Sequence, residues 1–144
     1  VVQNPYNLIN RSYETGLAEI SCRENIGLLA YSPLGFGRLT AKYIEGSAKP
    51  QDRINQFAQM ARYNGANALL ATQKYYDIAM AHGLSFSQMC LAFINSRDFL
   101  TANIIGATTT EQLAENIESV DLELSVEVVK AINEVHNQIP DPAV

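Results

Sequence analysis

The sequence predicts an α/β chain built on a parallel sheet, and three observations carry that prediction. Two short apolar runs that barely alternate, residues 1–7 and 26–32, flank a segment of helical periodicity over 14–25. That is the pattern of a βαβ unit with buried strands. A third short run, Asn103-Ile104-Ile105-Gly106, leads directly into a helix-capping pattern. Finally, 144 residues at 47% hydrophobic and 17% charged fit one globular domain with a real core, too apolar for disorder.

Local chemistry justifies each element in order. Residues 1–7 read as a strand ending at Pro5-Tyr6-Asn7. Over 14–25 the spacing sets Leu17, Ala18 and Ile20 to be buried and Arg23 and Glu24 to face water. Residues 26–32 form the second strand. Residues 33–65 are long for a connection, and Gly46-Ser47-Ala48-Lys49-Pro50, without apolar periodicity, is expected to be irregular. Residues 66–82 form a helix, with Leu69, Thr72, Tyr76 and Met80 at helical spacing and Gly83 as its stop. Ser85-Phe86-Ser87-Gln88 is a capping box that opens a helix to about Ser96. Residues 103–106 are the third strand. Thr108-Thr109-Thr110-Glu111 opens a helix expected to bury Leu113, Ile117 and Val120, and Ser125 caps a last helix with Val128, Ile132 and Val135 inward. No repeat or low-complexity segment interrupts this order. Three strands make little sheet, so either something outside the chain completes it or the chain pairs with a partner.

A net charge of −5 argues against nonspecific nucleic-acid binding and against a polybasic membrane surface. No apolar run reaches the length of a membrane span, and no charged-then-apolar leader opens the chain. The start on Val1-Val2, without Met, is expected to lie inside a longer protein. Cys22 and Cys90 sit in no CxxC or Cys/His pattern and are expected to be buried thiols of a cytoplasmic protein. The charge is uneven. Arg38, Lys42, Lys49, Arg53 and Arg62 outnumber Glu45 and Asp52 between 38 and 62, whereas Lys130 is the lone cation among eight acidic residues after residue 101. A positive loop in an acidic protein points to an anionic small ligand, or to nothing more than a solvated loop.

Two stretches could carry that ligand. Leu28 through Tyr43 is an apolar run followed by a Pro- and Gly-punctuated loop, where backbone amides, Arg38 and Lys42 can meet a phosphate. Its Gly35-x-Gly37-x-x-Thr40 is a near miss to the dinucleotide fingerprint: the third glycine is missing, and glycines for a tight loop explain it better than a Rossmann fold. The second stretch is Gly106-Ala107-Thr108 before a capped helix, with Gln112, Glu115 and Asn116 on one expected exposed flank, able to hydrogen-bond a purine and a ribose or simply to face solvent. His82 and His136 have no carboxylate or nucleophile at catalytic spacing and read as structural or surface residues. Tyr75 and Tyr76 read as half core and half surface.

Read together, these stretches resemble the C-terminal half of the aldo-keto reductase superfamily over nearly the whole chain. The matching residues are Gln3-x-x-Tyr6-Asn7, Tyr31-Ser32-Pro33-Leu34-Gly35-x-Gly37-x-Leu39-Thr40-x-Lys42-Tyr43, and Gly83-Leu84-Ser85 with Gln88-Met89-x-Leu91-Ala92-Phe93. The last is Ile105-Gly106-Ala107-Thr108-x-x-Glu111-Gln112-Leu113-x-Glu115-Asn116-Ile117. The pattern is most similar to the Tas-like bacterial branch, itself similar to the potassium-channel β subunits.

The resemblance implies the C-terminal part of a single (β/α)8 TIM barrel, its last three strands with their helices and a C-terminal helix, residues 1–144 forming the cofactor-binding portion. It implies NADPH as cofactor and reduction of aldehydes or ketones to alcohols by hydride transfer. Gln3 would hold the nicotinamide carboxamide and Tyr31 would stack on its ring. Ser32, Pro33, Leu34, Gly35 and Gly37 would wrap the pyrophosphate, with Lys42 and Arg53 as cations near phosphate. Gly106, Thr108, Gln112, Glu115 and Asn116 would meet the 2′-phosphate and adenosine. Many relatives carry Lys or Arg around positions 106–109 and this sequence does not, which leaves NADPH and NADH both open. The family's catalytic Asp, Tyr, Lys and His lie in the N-terminal half and have no counterparts here, so the isolated segment is expected to be inactive. Its expected companions are a carbonyl substrate and either the missing N-terminal half or a second copy of itself, with neither nucleic acid nor membrane insertion involved. A redox-sensing NADPH-binding regulatory subunit and an inert barrel fragment are the competing readings.

Overall fold

Three parallel strands, β1 (Val2–Pro5), β2 (Leu28–Tyr31) and β3 (Leu100–Ile104), lie side by side in the order β1-β2-β3. This is the arrangement in a computed structural model that describes the backbone of residues 1–144 and every side chain except those of Ala58 and Gln59. The register pairs Val2 with Leu28 and Leu28 with Leu100 at one end, and Pro5 with Tyr31 and Tyr31 with Ile104 at the other. The third strand therefore starts earlier than the apolar run at 103–106 suggests: Leu100 and Thr101 join it because Leu28 donates its N–H to the Phe99 carbonyl at 2.8 Å.

Period-two alternation gives the sheet two unlike faces. Leu28 and Ala30 are fully buried under helices. Gln3, Leu29, Tyr31, Ala102 and Ile104 form the other face, and none of them is buried. Parallel strands are ordinarily covered on both sides; here one side has no cover.

The helices are α1 (Leu17–Glu24), a short α2 (Arg53–Gln56), α3 (Ala66–Ala81), α4 (Phe86–Asn95), α5 (Thr110–Glu118) and α6 (Val126–Gln138). α4 is the centre of the core: Met89 through Ile94 are all buried. It is capped by the Ser85 hydroxyl, which accepts the Gln88 N–H. α6, capped the same way by Ser125, buries Val128, Ile132 and Val135, as its spacing predicts, and packs against α3. α3 ends as expected at Gly83, where the Gly83 and Leu84 amides bond back to the Met80 and Ala79 carbonyls. Its buried stripe is Ala68, Ala71, Thr72, Tyr75 and Ala79, not the Leu69 and Met80 line, which is close to half exposed. Small residues let the helices approach, so alanines rather than the large residues define the inner face.

Three expectations about burial fail in ways that agree with one another. The segment over 14–25 splits into a 3-10 turn (Ser12–Thr15) and α1. α1 docks through Ser21, whose hydroxyl meets that of Tyr13, leaving Leu17 and Ile20 about half exposed. Cys22 is exposed as well, while Cys90 is buried as expected. α5 docks on α4 by its polar side, through Ser119 and Asn116, and exposes Leu113, Ile117 and Val120 at 42%, 57% and 70%. Leu17, Ile20, Leu113 and Ile117 lie on the flanking helices and Val120 just beyond the end of α5, and none of them is buried among the described residues.

The long connection after β2 is more ordered than its composition suggests. It holds 3-10 turns at Gly35–Gly37, Ala41–Tyr43 and Ala58–Asn64 together with α2, and its irregular stretch is confined to residues 47–49 between those turns. After β1, Arg11 is buried and ion-paired with Glu14 at 2.7 Å, donates to Asn133 of α6 at 2.9 Å, and stacks over Phe93 of α4. Its backbone N–H reaches the Asp141 carboxylate, and Ala143 donates to the Ile9 carbonyl, so the C-terminus is tied to the segment following β1.

Candidate functional site: one rim of the sheet

Because the strands are parallel, with Pro5, Tyr31 and Ile104 paired across them beyond a one-residue irregularity at Leu28–Leu29, their C-terminal tips share one edge of the sheet. Gln3 and Tyr31 also share its uncovered face: Gln3 pairs with Leu29, two residues before Tyr31 on the same side. The tips of β1 and β2 are clamped together by Asn7, which is fully buried. Its amide donates to the Ser32 carbonyl at 3.0 Å and its Oδ1 accepts the Ile9 N–H, while the Tyr6 N–H donates to the Tyr31 carbonyl. Asn7 is legible in the sequence only as a polar residue at a strand end, and its clamping role becomes visible only in the fold.

Beyond Tyr31 the chain winds through the left-handed region at Ser32, Gly35, Phe36 and Gly37 (φ 54, 54, 56 and 95). Gly35 is required where it stands: a Cβ there would meet the Tyr63 ring at 3.3 Å in a conformation that L side chains resist. The loop bonds to itself, Gly35 to Ser32, Gly37 to Leu34 and Arg38 to Gly35. Those amides are used internally, so the grip on an anion falls more on side chains than the sequence implies. Of the two cations that follow the glycines, Arg38 turns inward. It is buried, donates to the Tyr63 carbonyl at 3.0 Å and to Asn64, and lies over the Tyr43 ring; burial pushes its guanidinium pKa down. Lys42 stays beside the loop, its ammonium 3.8 Å from where a Gly37 Cβ would stand. It pairs with Asp52 at 2.8 Å, and that hydrogen bond, with one from the Lys49 amide, holds the Asp52 carboxyl below its usual range. Arg53 is exposed, its guanidinium 5.1 Å over Phe36. Pro33 is buried and Leu34 half-buried beneath this turn. Tyr63, Asn64 and Asp52, which shape the loop from a distance, have no local signal in the sequence.

At the third tip, Gly106 and Thr108 are exposed. The cap of α5 is Thr109, one residue later than the first threonine of the run, and its hydroxyl accepts the Gln112 N–H at 3.2 Å. Gln112 reaches back to accept from the Thr108 amide and hydroxyl. The shared exposed flank expected for Gln112, Glu115 and Asn116 divides. Gln112 is exposed, Glu115 turns to accept the Ser85 hydroxyl, and Asn116 is buried, because α5 leans its polar side on the start of α4.

The assembled rim therefore offers an open sheet face with an amide and an aromatic ring, a glycine turn flanked by Lys42 and Arg53, and a capped helix start. Among the described residues no cluster of His, Cys, Asp and Glu could hold a metal ion, and no single helix is long and apolar enough to cross a membrane.

Residues 1–137 match the aldo/keto reductase family. The chain is 48% identical over 142 residues to protein Tas of Escherichia coli (strain K12), covering 99% of this chain and 41% of that protein. It is 29% identical over 145 residues to a putative voltage-gated potassium channel subunit beta of Schizosaccharomyces pombe, at 96% and 42% coverage. Among solved structures it superposes on a glycerol dehydrogenase from Gluconobacter oxydans with TM-score 0.74 at 23% identity, over 96% of this chain and 42% of that one. That likeness establishes the fold as part of a (β/α)8 barrel, the fold whose sites lie at the C-terminal ends of its strands. The chain spans about two fifths of the length of these relatives. With the family's motifs matched from end to end and its strand tips on one rim, this chain belongs to the aldo/keto reductase family, in its Tas-like branch.

Proposed function

We propose that this chain is the cofactor-binding, C-terminal part of an aldo-keto reductase that reduces small aldehydes or ketones with a nicotinamide dinucleotide, NADPH being the form the family resemblance implies. The observation that carries this reading is the common rim: Gln3 and Tyr31 on one face, the Gly35–Gly37 turn beside Lys42 with Arg53 over Phe36, and the segment from the tip of β3 to the start of α5. Gln3 and Tyr31 would hold the nicotinamide end, the turn with Lys42 and Arg53 the pyrophosphate, and Gly106, Thr108, Gln112 and Asn116 the adenosine. When bound, the reduced nicotinamide supplies the hydride. These residues bind and orient it; none of them is placed to deliver the proton to the carbonyl oxygen, a task assigned to the rest of the barrel. Two unpaired cysteines, one exposed, suit a reducing cytoplasm.

Titrating NADPH fluorescence against the chain tests the reading. Saturable binding is expected, weakened by Tyr31→Ala and by Lys42→Ala, each by about 5- to 30-fold, in line with the loss of one stacked ring or one charged contact. No binding at millimolar dinucleotide refutes it. The likeness to a channel β subunit supports a second reading, an NADPH-binding regulatory subunit; slow turnover of simple aldehydes by the completed barrel would favour it.

A further inference from the structure

We propose that residues 139–144 form a strap that holds the segment after β1, and that protonation of His136 releases it. The proposal does not depend on the cofactor reading. Beyond α6 the chain doubles back on the segment that follows β1. Ala143 is buried and donates its N–H to the Ile9 carbonyl at 3.0 Å, and the Asp141 carboxylate accepts the Arg11 N–H. Ile9 is also the residue whose own N–H is held by Asn7, and Asn7 reaches on to the Ser32 carbonyl. One run of hydrogen bonds therefore joins the strap to the tips of β1 and β2. Asp141 stands in the left-handed region at φ 45, a conformation that side chains resist. The two bonds and the seat of Ala143 hold the strap against that local strain.

His136 sits where it can unfasten them. It lies in the last turn of α6, a few residues before Asp141, and its Nδ1 is buried with no hydrogen-bond partner among the described residues. The turn after β1 brings Arg11 and Glu14 toward it, paired with each other, and the strap brings Asp141. From α3, packed on α6, comes the Tyr75 hydroxyl, itself buried without a partner near Arg11 and Asp141. On α6, Asn133 is taken by Arg11, and Lys130 and Glu134 pair at 3.9 Å in solvent.

Burial and the Arg11 charge hold the imidazole pKa below its usual value, although Asp141 and Glu14 pull the other way. A histidine whose folded pKa is lowered contributes stability that is present above its unfolded pKa of about 6.5 and is lost as pH falls toward the folded value. A proton bound at the buried Nδ1 has no acceptor where it stands. Glu14 is already shared by Arg11 and the Tyr6 hydroxyl. The carboxylate left to answer a cationic ring is Asp141, the same group that fastens the strap. Drawing it off the Arg11 amide, or turning the ring out into water, undoes the latch, so the loss falls first on the strap.

Amide hydrogen exchange of the 144-residue chain, corrected for the intrinsic pH dependence of exchange, reads this at Ala143, Arg11 and Ile9, with the amides of α4 as the reference for an intact core. Protection at the three amides should fall by about three- to tenfold between about pH 7.5 and about pH 5.5, the scale of one hydrogen bond lost, while α4 holds. His136→Gln, which never carries the charge, should abolish the fall. His82→Gln, at an exposed position after α3, should leave it unchanged. Asp141→Ala should leave the strap open at both pH values. Strap protection that stays constant over this range in the unsubstituted chain overturns the proposal. So does a fall that survives His136→Gln with α4 still protected, or an Asp141→Ala strap as protected as the original.

Discussion

Single residues hold local structure by backbone conformation, as at Gly35 after β2, and by paired charge, as at Glu14 after β1, and each can be tested alone. At Gly35, alanine has to adopt φ +54 and to push its Cβ within 3.3 Å of Tyr63. The expected cost is about 1–2 kcal/mol, a fall in Tm of about 3–6 °C, against no measurable change for Gly16→Ala, where nothing lies within 4 Å. Glu14 gives the pH dependence. Burial alone would raise its pKa, but hydrogen bonds from Arg11 and from the Tyr6 hydroxyl, with the Arg11 charge, outweigh burial and hold it below the ordinary value. Burial, together with the same Glu14 contact, pushes the Tyr6 phenol far up. A carboxyl whose folded pKa is depressed contributes stability that is present above its unfolded pKa of about 4.3 and is lost as pH falls through the folded value. Urea melts from about pH 7 to about pH 3 should therefore show an acid-side loss of stability that Glu14→Gln flattens, with the variant already weaker at neutral pH. An unchanged acid limb would remove Glu14 from this role.

At the scale of elements, the question is which face of each helix the fold buries. α6 buries Ile132 completely and α5 leaves Ile117 at 57% exposure, although both sit on apolar stripes of similar strength. Ile132→Ala should cost about 2–5 kcal/mol and Ile117→Ala less than about 0.5 kcal/mol in chemical denaturation of the chain. Equal costs would mean that α5 is rolled the other way. The comparison also marks how far the sequence can be read. Caps, stops and strands are legible because they are local: Ser85, Ser125 and Gly83 act on amides and carbonyls within one turn of themselves. The faces of α1 and α5 are not, because an amphipathic stripe says that something apolar covers it and not whether that cover belongs to the same chain. In the proposed site, the Gly35–Gly37 turn is legible from its place after an apolar strand, whereas Gln3 and Tyr31 are singled out only by the family resemblance. The inward turn of Arg38 is not, since Tyr63 and Asn64 lie 25 and 26 residues away and reach it only through the folding of the long connection. Lys42 and Asp52, 10 residues apart with no helix to align them, are equally hidden as a pair.

For the whole molecule, the uncovered surfaces follow a pattern. Val1, Leu17, Ile20 and Ile26 are exposed on the β1 and α1 side; Leu113 and Ile117 are exposed on α5 and Val120 just after it; the open sheet face adds Ile104 at 43%. β1 and β3 each pair on one side only, leaving two parallel edges with unsatisfied backbone groups. A closed barrel covers all of these at once by pairing both edges, whereas a lone chain presents them to water, where edges and apolar patches drive association. We therefore propose that the chain finds either the rest of the barrel or another copy of itself. On its own it should fail to reduce simple aldehydes with NADPH, since the proposed function assigns the proton donor to the rest of the barrel; measurable turnover by the purified chain would contradict that. It should also elute in gel filtration with a mass that rises with concentration. Leu113→Lys with Ile117→Lys places two like charges on the half-exposed α5 stripe, where a lysine stem keeps the covered part of each contact, so Tm of the monomeric form should fall little while the associated fraction falls. If the unsubstituted chain is monomeric at every concentration, the exposed stripe and open edges are tolerated by this fold and the association is wrong. If the double variant loses Tm instead, α5 buries that stripe within one chain, and the half-open barrel described by these exposures is not the solution form.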